Sequence, residues 1–235
     1  MGRRQALEPR NRLLAALPPE EYARILPHLS ATTLEQHKIL ERPETLTSHV
    51  YFPWSGVCSL TATMSDGRMV EVGTIGNEGM VGLSVFLGGV LPSVLTVVQV
   101  TGSGAHAMRA GTFTAEMMRR GPFYDLVQRY SQALVGLIMQ SAACNGLHEV
   151  DRRCARWLLM ACDRAGNVID LTQEYLASML GVRRSSVSEV AKRLQAAGLI
   201  SYARGRITIR DRDGLERLAC ECYGVVRAHF DRLVP

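Results

Sequence analysis

Eight basic side chains fall within residues 181–212: Arg183, Arg184, Lys192, Arg193, Arg204, Arg206, Arg210 and Arg212. Two acidic ones, Glu189 and Asp211, oppose them. A positive excess this concentrated suits an anionic partner, above all the phosphates of a nucleic acid. A second stretch, GTIGNEGMVGLSVFLGG at residues 73–89, places glycines at Gly73, Gly76, Gly79 and Gly82 and doubles them at Gly88 and Gly89. Such loops hold phosphate because the missing Cβ lets backbone N–H groups approach an anion. Here, however, the loop lies in a window from Met69 to Met108 that contains no Lys or Arg and carries Glu71 and Glu78. A phosphate buried among carboxylates with no cation beside it faces a desolvation penalty of several kcal/mol.

Other chemistries find less support. No Ser/His/Asp set, paired carboxylates or Walker motif is present, so an enzyme is not predicted. The six cysteines are Cys58, Cys144, Cys154, Cys162, Cys220 and Cys222, and only Cys220-Glu221-Cys222 is close-spaced. Zinc sites use paired CxxC or added histidines at ligand spacing, so no metal and no cofactor are predicted and the thiols read as reduced and mostly buried. His49, Cys58 and His106 are scattered singles, unsuited to holding a haem.

The basic residues need elements to present them. In LTQEYLASMLGVRRSSVSEVAKRLQAAGLISYARGRITI, residues 171–209, Thr172 can cap a helix with Glu174 in its first turn. Leu176, Met179 and Leu180 form that helix's apolar stripe, and Gly181 suits a tight turn. Val187, Val190, Ala191 and Leu194 give the next helix its buried face, leaving Arg184, Ser185, Ser188, Glu189 and Lys192 on the other. This is a helix-turn-helix pattern, whose second helix enters the major groove of DNA. Leu199–Tyr202 and Arg206–Ile209 then flank a turn at Ala203-Arg204-Gly205, forming a basic two-stranded wing. The rival reading is a small-molecule-binding or protein-interaction module whose helix-turn-helix no longer binds DNA.

The rest of the chain divides by texture. Over residues 33–110, short Val/Thr/Ile runs alternate with turn signals such as Ser65-Asp66-Gly67, as in a β-sandwich or barrel. From Pro122 to Gly146 the period is helical. Val127, Tyr130, Leu134, Leu137, Ser141 and Cys144 step by three and four residues, which predicts a seam for a second copy of the chain, with packing inside the chain as the alternative. The expected organisation is α+β: a β effector domain over 12–120, a dimerisation helix over 121–146, and a winged helix-turn-helix domain over 147–235. No run reaches the roughly 18 apolar residues of a membrane helix, and no signal peptide is evident, so a soluble cytoplasmic protein is expected.

The order of β-rich domain, long helix and winged helix resembles the cyclic-AMP receptor/fumarate-nitrate regulator (Crp/Fnr) family of bacterial transcription factors. The stretches LTQEYLASMLGVRRSSVSEVAKRLQAAGLI and QSAACNGLHEVDRRCARWLLMACDR are similar to its DNA-binding signature and to its junction between dimer helix and DNA-binding domain. The resemblance implies an N-terminal β jelly-roll of the cyclic-nucleotide-binding type and a homodimer on a roughly palindromic double-stranded DNA site. It also implies a hinge near Leu147-His148-Glu149, and RNA polymerase as a further partner. Position by position, Arg184 matches the family's base-reading arginine, with Ser185, Ser188 and Glu189 beside it. Arg183, Ser186, Lys192, Arg204 and Arg206 fall to phosphate contact. The effector cassette is degenerate. Across Gly79, Gly82, Leu83, Ser84 and Ser93, Leu83 stands where a ribose-binding glutamate belongs, and no arginine occupies Ser93–Leu95. A cyclic nucleotide is therefore not expected, and the effector is not identified.

Overall fold

The computed structural model describes residues 9–88 and 91–234, so Gly89 of the doubled glycine turn lies outside the described residues. Two short helices, α1 (Arg12–Ala15) and α2 (Pro19–Ile25), precede a set of antiparallel strands. These are β1 (Ser30–Thr32), β2 (Ile39–Glu41), β3 (His49–Pro53), β4 (Val57–Thr63), β5 (Met69–Ile75), β6 (Leu95–Val100) and β7 (Ala105–Arg109). They form one sheet of order β1-β7-β3 and another of order β2-β6-β4-β5. Gly67, with φ of 82°, makes the turn between β4 and β5, as the Asp-Gly pair predicts. A short helix, α3 (Leu83–Phe86), interrupts the glycine-rich segment.

Helices α4 (Ala110–Met118) and α5 (Pro122–Leu147) follow. At 26 residues α5 is about 39 Å long, and Pro122 at its start lacks only an N–H that the first turn would leave unpaired. The C-terminal part contains α6 (Val150–Ala165), β8 (Val168–Asp170), α7 (Gln173–Leu180), α8 (Arg184–Ala196), β9 (Ile200–Ala203), β10 (Arg206–Ile209), α9 (Arg212–Leu218) and α10 (Cys222–Leu233). Here β8 adds a third strand to the wing, in the order β8-β10-β9. Among the described residues no helix is long and apolar enough to cross a membrane.

The predicted dimer seam is corrected. Val127, Tyr130, Leu134, Leu137, Ser141 and Cys144 are all buried within the single chain. Leu137 reaches β5, where a Cβ on Gly73 would lie 3.1 Å from it, and the Tyr130 ring faces Phe230 of α10. The periodicity located the apolar face of α5 correctly, but the chain's own β sheet and last helix cover it. The exposed face carries Gln128, Gln132, Val135, Met139, Ala142 and Gly146, again at alternating steps of four and three. One continuous apolar cluster runs from Leu13 and Phe52 through Leu158 to Val187 and Val234, so the β domain and the C-terminal domain share a core.

Candidate nucleic-acid interface

Local chemistry sets the helix-turn-helix. The Thr172 side chain accepts from the Tyr175 N–H at 3.3 Å and caps α7. Gly181 closes the helix in the left-handed region at φ 63°, a backbone that side chains with a Cβ resist. Leu176, Met179 and Leu180 of α7 and Val187, Val190, Ala191 and Leu194 of α8 are buried. The wing turns through Arg204 and Gly205, both at positive φ, which pairs Arg206 with Ala203 in a two-residue hairpin.

This frame sorts the sequence-predicted residues. Arg184 opens α8 and its side chain is 68% exposed, with a loose 3.9 Å approach to Glu174. Ser185, Glu189 and Lys192 are exposed on the same helix, Arg183 is its exposed N-cap, and Ser186 is half-buried. Ser188 is engaged inside the motif, its hydroxyl lying 2.5 Å from Gln173 Oε1 and 3.1 Å from the Arg184 carbonyl oxygen, the two acceptors for its one proton. Arg204 is exposed at the wing tip. Arg206 forms a two-point ion pair with Asp170 (2.6 and 3.3 Å), so a phosphate must compete with that carboxylate. Gln173 and Glu174 border the site although the sequence reading gave them no role there. Their place in the first turn of α7, facing the start of α8, is the signal that would have found them.

The glycine-rich segment is occupied by the chain itself. A Cβ on Gly76 would overlap the Arg164 side chain, and one on Gly79 would overlap the Tyr130 ring. These two glycines thus admit side chains from α6 and α5. Of the degenerate cassette, Gly82 is left-handed at φ 101°, Leu83 packs half-buried against the core, and Ser93 is exposed. Ser84 donates to Glu41 Oε1 at 3.1 Å. Thr47 and Thr96 donate to the same buried carboxylate at 3.3 and 2.9 Å.

Both acidic residues of the cation-free window turn toward α6. Arg164 meets Glu78 (Nη2 to Oε1, 2.6 Å) and donates to Thr74 Oγ1 at 2.8 Å. Burial would raise the Glu78 pKa, but the Arg164 charge and hydrogen bonds outweigh it and hold the carboxyl below its ordinary value. Glu71 accepts from Trp157 Nε1 at 2.9 Å and from the Ser59 hydroxyl, and burial pushes its pKa up to about 7. The cation that the window lacks in sequence is supplied in space, 86 residues away.

With this geometry in view, comparison with known proteins gives a match over residues 152–218 to the Crp-like helix-turn-helix domain. Residues 152–218 are a Crp-like helix-turn-helix domain. No curated protein sequence matches the chain. Over about four fifths of the chain the fold is that of solved Crp/Fnr regulators. It is similar to a CRP-family transcriptional regulator of Thermus thermophilus, at 19% identity and TM-score 0.65, covering 80% of this chain and 96% of that one. It is also similar to FixK2 from Bradyrhizobium japonicum, at 14% identity and TM-score 0.68, covering 82% and 98%. A third is the c-di-GMP-responsive global regulator CLP of Xanthomonas campestris, at 18% identity and TM-score 0.63, covering 82% and 99%.

The Crp-like domain is held against the β domain by more than the buried acids. Gln36 donates to the Asp170 carbonyl at 2.9 Å, and His37 stacks on Tyr175 with ring centroids 4.6 Å apart. Spacing along the sequence predicts no metal site, but the fold brings ligand-type side chains together. All six cysteines are buried, and Cys144, Cys220 and Cys222 form a cluster of their own beside His148. Spacing rules missed it because Cys144 and Cys220 are 76 residues apart.

Proposed function

We propose that the chain is a sequence-specific DNA-binding transcriptional regulator that acts as a homodimer and does not respond to cyclic nucleotide in the family's usual way. Arg184 carries the reading: it stands exposed at the start of α8, in the turn that a helix-turn-helix leads into the major groove. Ser185, Glu189 and Lys192 continue along the same face, while Arg183, Arg204 and Arg206 flank it as phosphate contacts.

The dimer uses the exposed face of α5. Val135 and Met139 are 44% and 67% exposed, and the positions in line with them repeat at the heptad steps of a helix pair. Two such helices in parallel would present two recognition helices to the two halves of a palindrome.

Glu41 supports the absence of a cyclic nucleotide. Its buried carboxylate takes the hydroxyl of Ser84 in the cassette together with those of Thr47 and Thr96. A phosphate entering there would meet a negative charge. Selection of bound duplexes from a random pool, with purified protein and no added ligand, tests the reading. A roughly palindromic site whose affinity falls steeply with salt is the expected result. Recovery of no enriched sequence, or enrichment only when cyclic AMP is added, would reject it.

A further inference from the structure

The end of α5 and the start of α10 meet through sulfur. Cys144 and His148 are four residues apart, with His148 capping α5, so both side chains share one face of the helix. Cys220 and Cys222 flank Glu221, the N-cap of α10. The three sulfurs and a ring nitrogen of His148 all lie within 4.8 Å of one another. Cys144 Sγ is 3.5 Å from Cys220 Sγ, and Cys222 Sγ is 3.6 Å from His148 Nδ1.

These two separations match edges of a small tetrahedron, and the other pairs lie within 4.8 Å. A metal with Zn–S bonds of about 2.3 Å and Zn–N of about 2.0 Å sets its donors roughly 3.5–3.8 Å apart. An iron–sulfur cubane, with each ligand on a different iron, needs a wider frame.

The surroundings suit a bound cation with thiolate ligands. His148 Nε2 lies 3.2 Å from Glu221 Oε1, the carboxylate–imidazole arrangement that orients a metal-binding histidine and fixes Nδ1 as its free donor. Gln140 Nε2 donates to Cys222 Sγ at 3.0 Å. Three thiolates and a neutral imidazole around a dication leave a net negative charge. On α6, Arg153 and Arg156 are buried; Arg153 donates to the Leu180 carbonyl and Arg156 to Ser141 Oγ at 3.3 Å, and the Nε–H of each has no hydrogen-bond partner among the described residues.

We propose that Cys144, His148, Cys220 and Cys222 form a closed four-coordinate site for a zinc-class divalent cation, which staples the end of α5 to the start of α10. On binding, each thiol gives its proton to solvent and a sulfur lone pair forms the metal bond, so no oxidant or reductant is consumed. Four protein ligands leave no open position for substrate, as in structural sites. The staple sits at the junction of α5 and α6, where it fixes the long helix relative to the C-terminal domain.

The test is elemental analysis of the full-length protein, purified under reductant, supplied with zinc and dialysed, with no DNA present. About one zinc per chain is expected, and cobalt in its place gives the intense visible bands of a tetrahedral thiolate site. Cys220→Ser/Cys222→Ser loses the metal. Glu221→Gln, which keeps every ligand, weakens zinc affinity by about 10–100-fold. It keeps the question open to experiment if the cysteine variant fails to fold. Absence of stoichiometric metal, an octahedral cobalt spectrum, retention of zinc by the folded double variant, or unchanged affinity in Glu221→Gln would each overturn the site. So would a Cys144–Cys220 disulfide in protein that takes up no metal. Because the assay contains no DNA, its failure leaves the regulatory reading untouched.

Discussion

Arg164, in the last turn of α6, closes on Glu78 in the glycine-rich loop, with Nη2 2.6 Å from Oε1 and Nε 3.1 Å from each carboxylate oxygen. Both side chains are 7% exposed, so the pair crosses the boundary between the β domain and the C-terminal domain away from water. Removing one member strands the other. Arg164→Met is expected to destabilise the protein by about 3–5 kcal/mol in urea unfolding, while Arg164→Met/Glu78→Gln loses distinctly less. Equal losses in the two variants would show that packing, not the stranded carboxylate, sets the cost.

Glu71 makes stability depend on pH. Its folded pKa of about 7 lies above the ordinary 4.5, so the folded state holds the proton more tightly than the unfolded chain does. That contribution is complete below pH 4.5 and is lost as pH rises through 7, by ~3 kcal/mol at ~1.4 kcal/mol per unit. Ser59, Trp157, Arg156 and Arg164 all favour the carboxylate and limit the shift, and Glu78, whose own pKa is lowered, acts on stability in the opposite sense. Urea titrations of Glu71→Gln alongside the parent isolate the term. The variant gains relative to the parent as pH rises from 4.5 to 7, and a constant difference would remove Glu71 as its source.

Arg184 and Arg204 separate two kinds of DNA contact. Arg184→Ala is expected to relax selection at one base pair per half-site, by ~1–3 kcal/mol of discrimination. Arg204→Ala weakens binding to all sequences and reduces the salt slope by about one. Parallel binding curves on a selected site and on random duplex read both effects, and equal loss on the two duplexes for Arg184→Ala refutes its base-reading role.

Opposite faces of α5 respond differently to mutation. Met139→Glu places a charge on the exposed stripe and is expected to give a folded monomer in analytical ultracentrifugation, with DNA affinity lost. Leu137→Ala, on the buried face, costs roughly 2–5 kcal/mol and leaves any remaining folded protein dimeric. A dimeric Met139→Glu protein would move the interface elsewhere.

What could be read from the sequence was local. The Thr172 cap, the Gly181 turn and the Arg204-Gly205 hairpin lie within a few dozen residues, and each residue type enforces its own geometry. Helix α5 was legible as a helix with an apolar face, but periodicity does not say what covers that face, and here α10 and β5 do. Glu78 and Arg164 are 86 residues apart, and Cys144 and Cys220 are 76. No spacing rule joins such pairs, so the cation for the glycine loop and the fourfold sulfur–imidazole cluster emerged only from the fold. The glycines themselves were ambiguous, since close approach of a side chain and close approach of a phosphate require the same missing Cβ.

The apolar cluster that runs unbroken from Leu13 to Val234 has a consequence for how the molecule melts. A reader joined to its scaffold by a bare linker would survive the scaffold's collapse. Here Trp157, Leu158 and Leu159 belong to the same buried set as Phe52 and Ile75, so neither half keeps a complete interior without the other. Heating should therefore give one calorimetric peak, with equal van't Hoff and calorimetric enthalpies. A lesion in the β strands would then lower the amount of competent recognition helix as surely as one in α8.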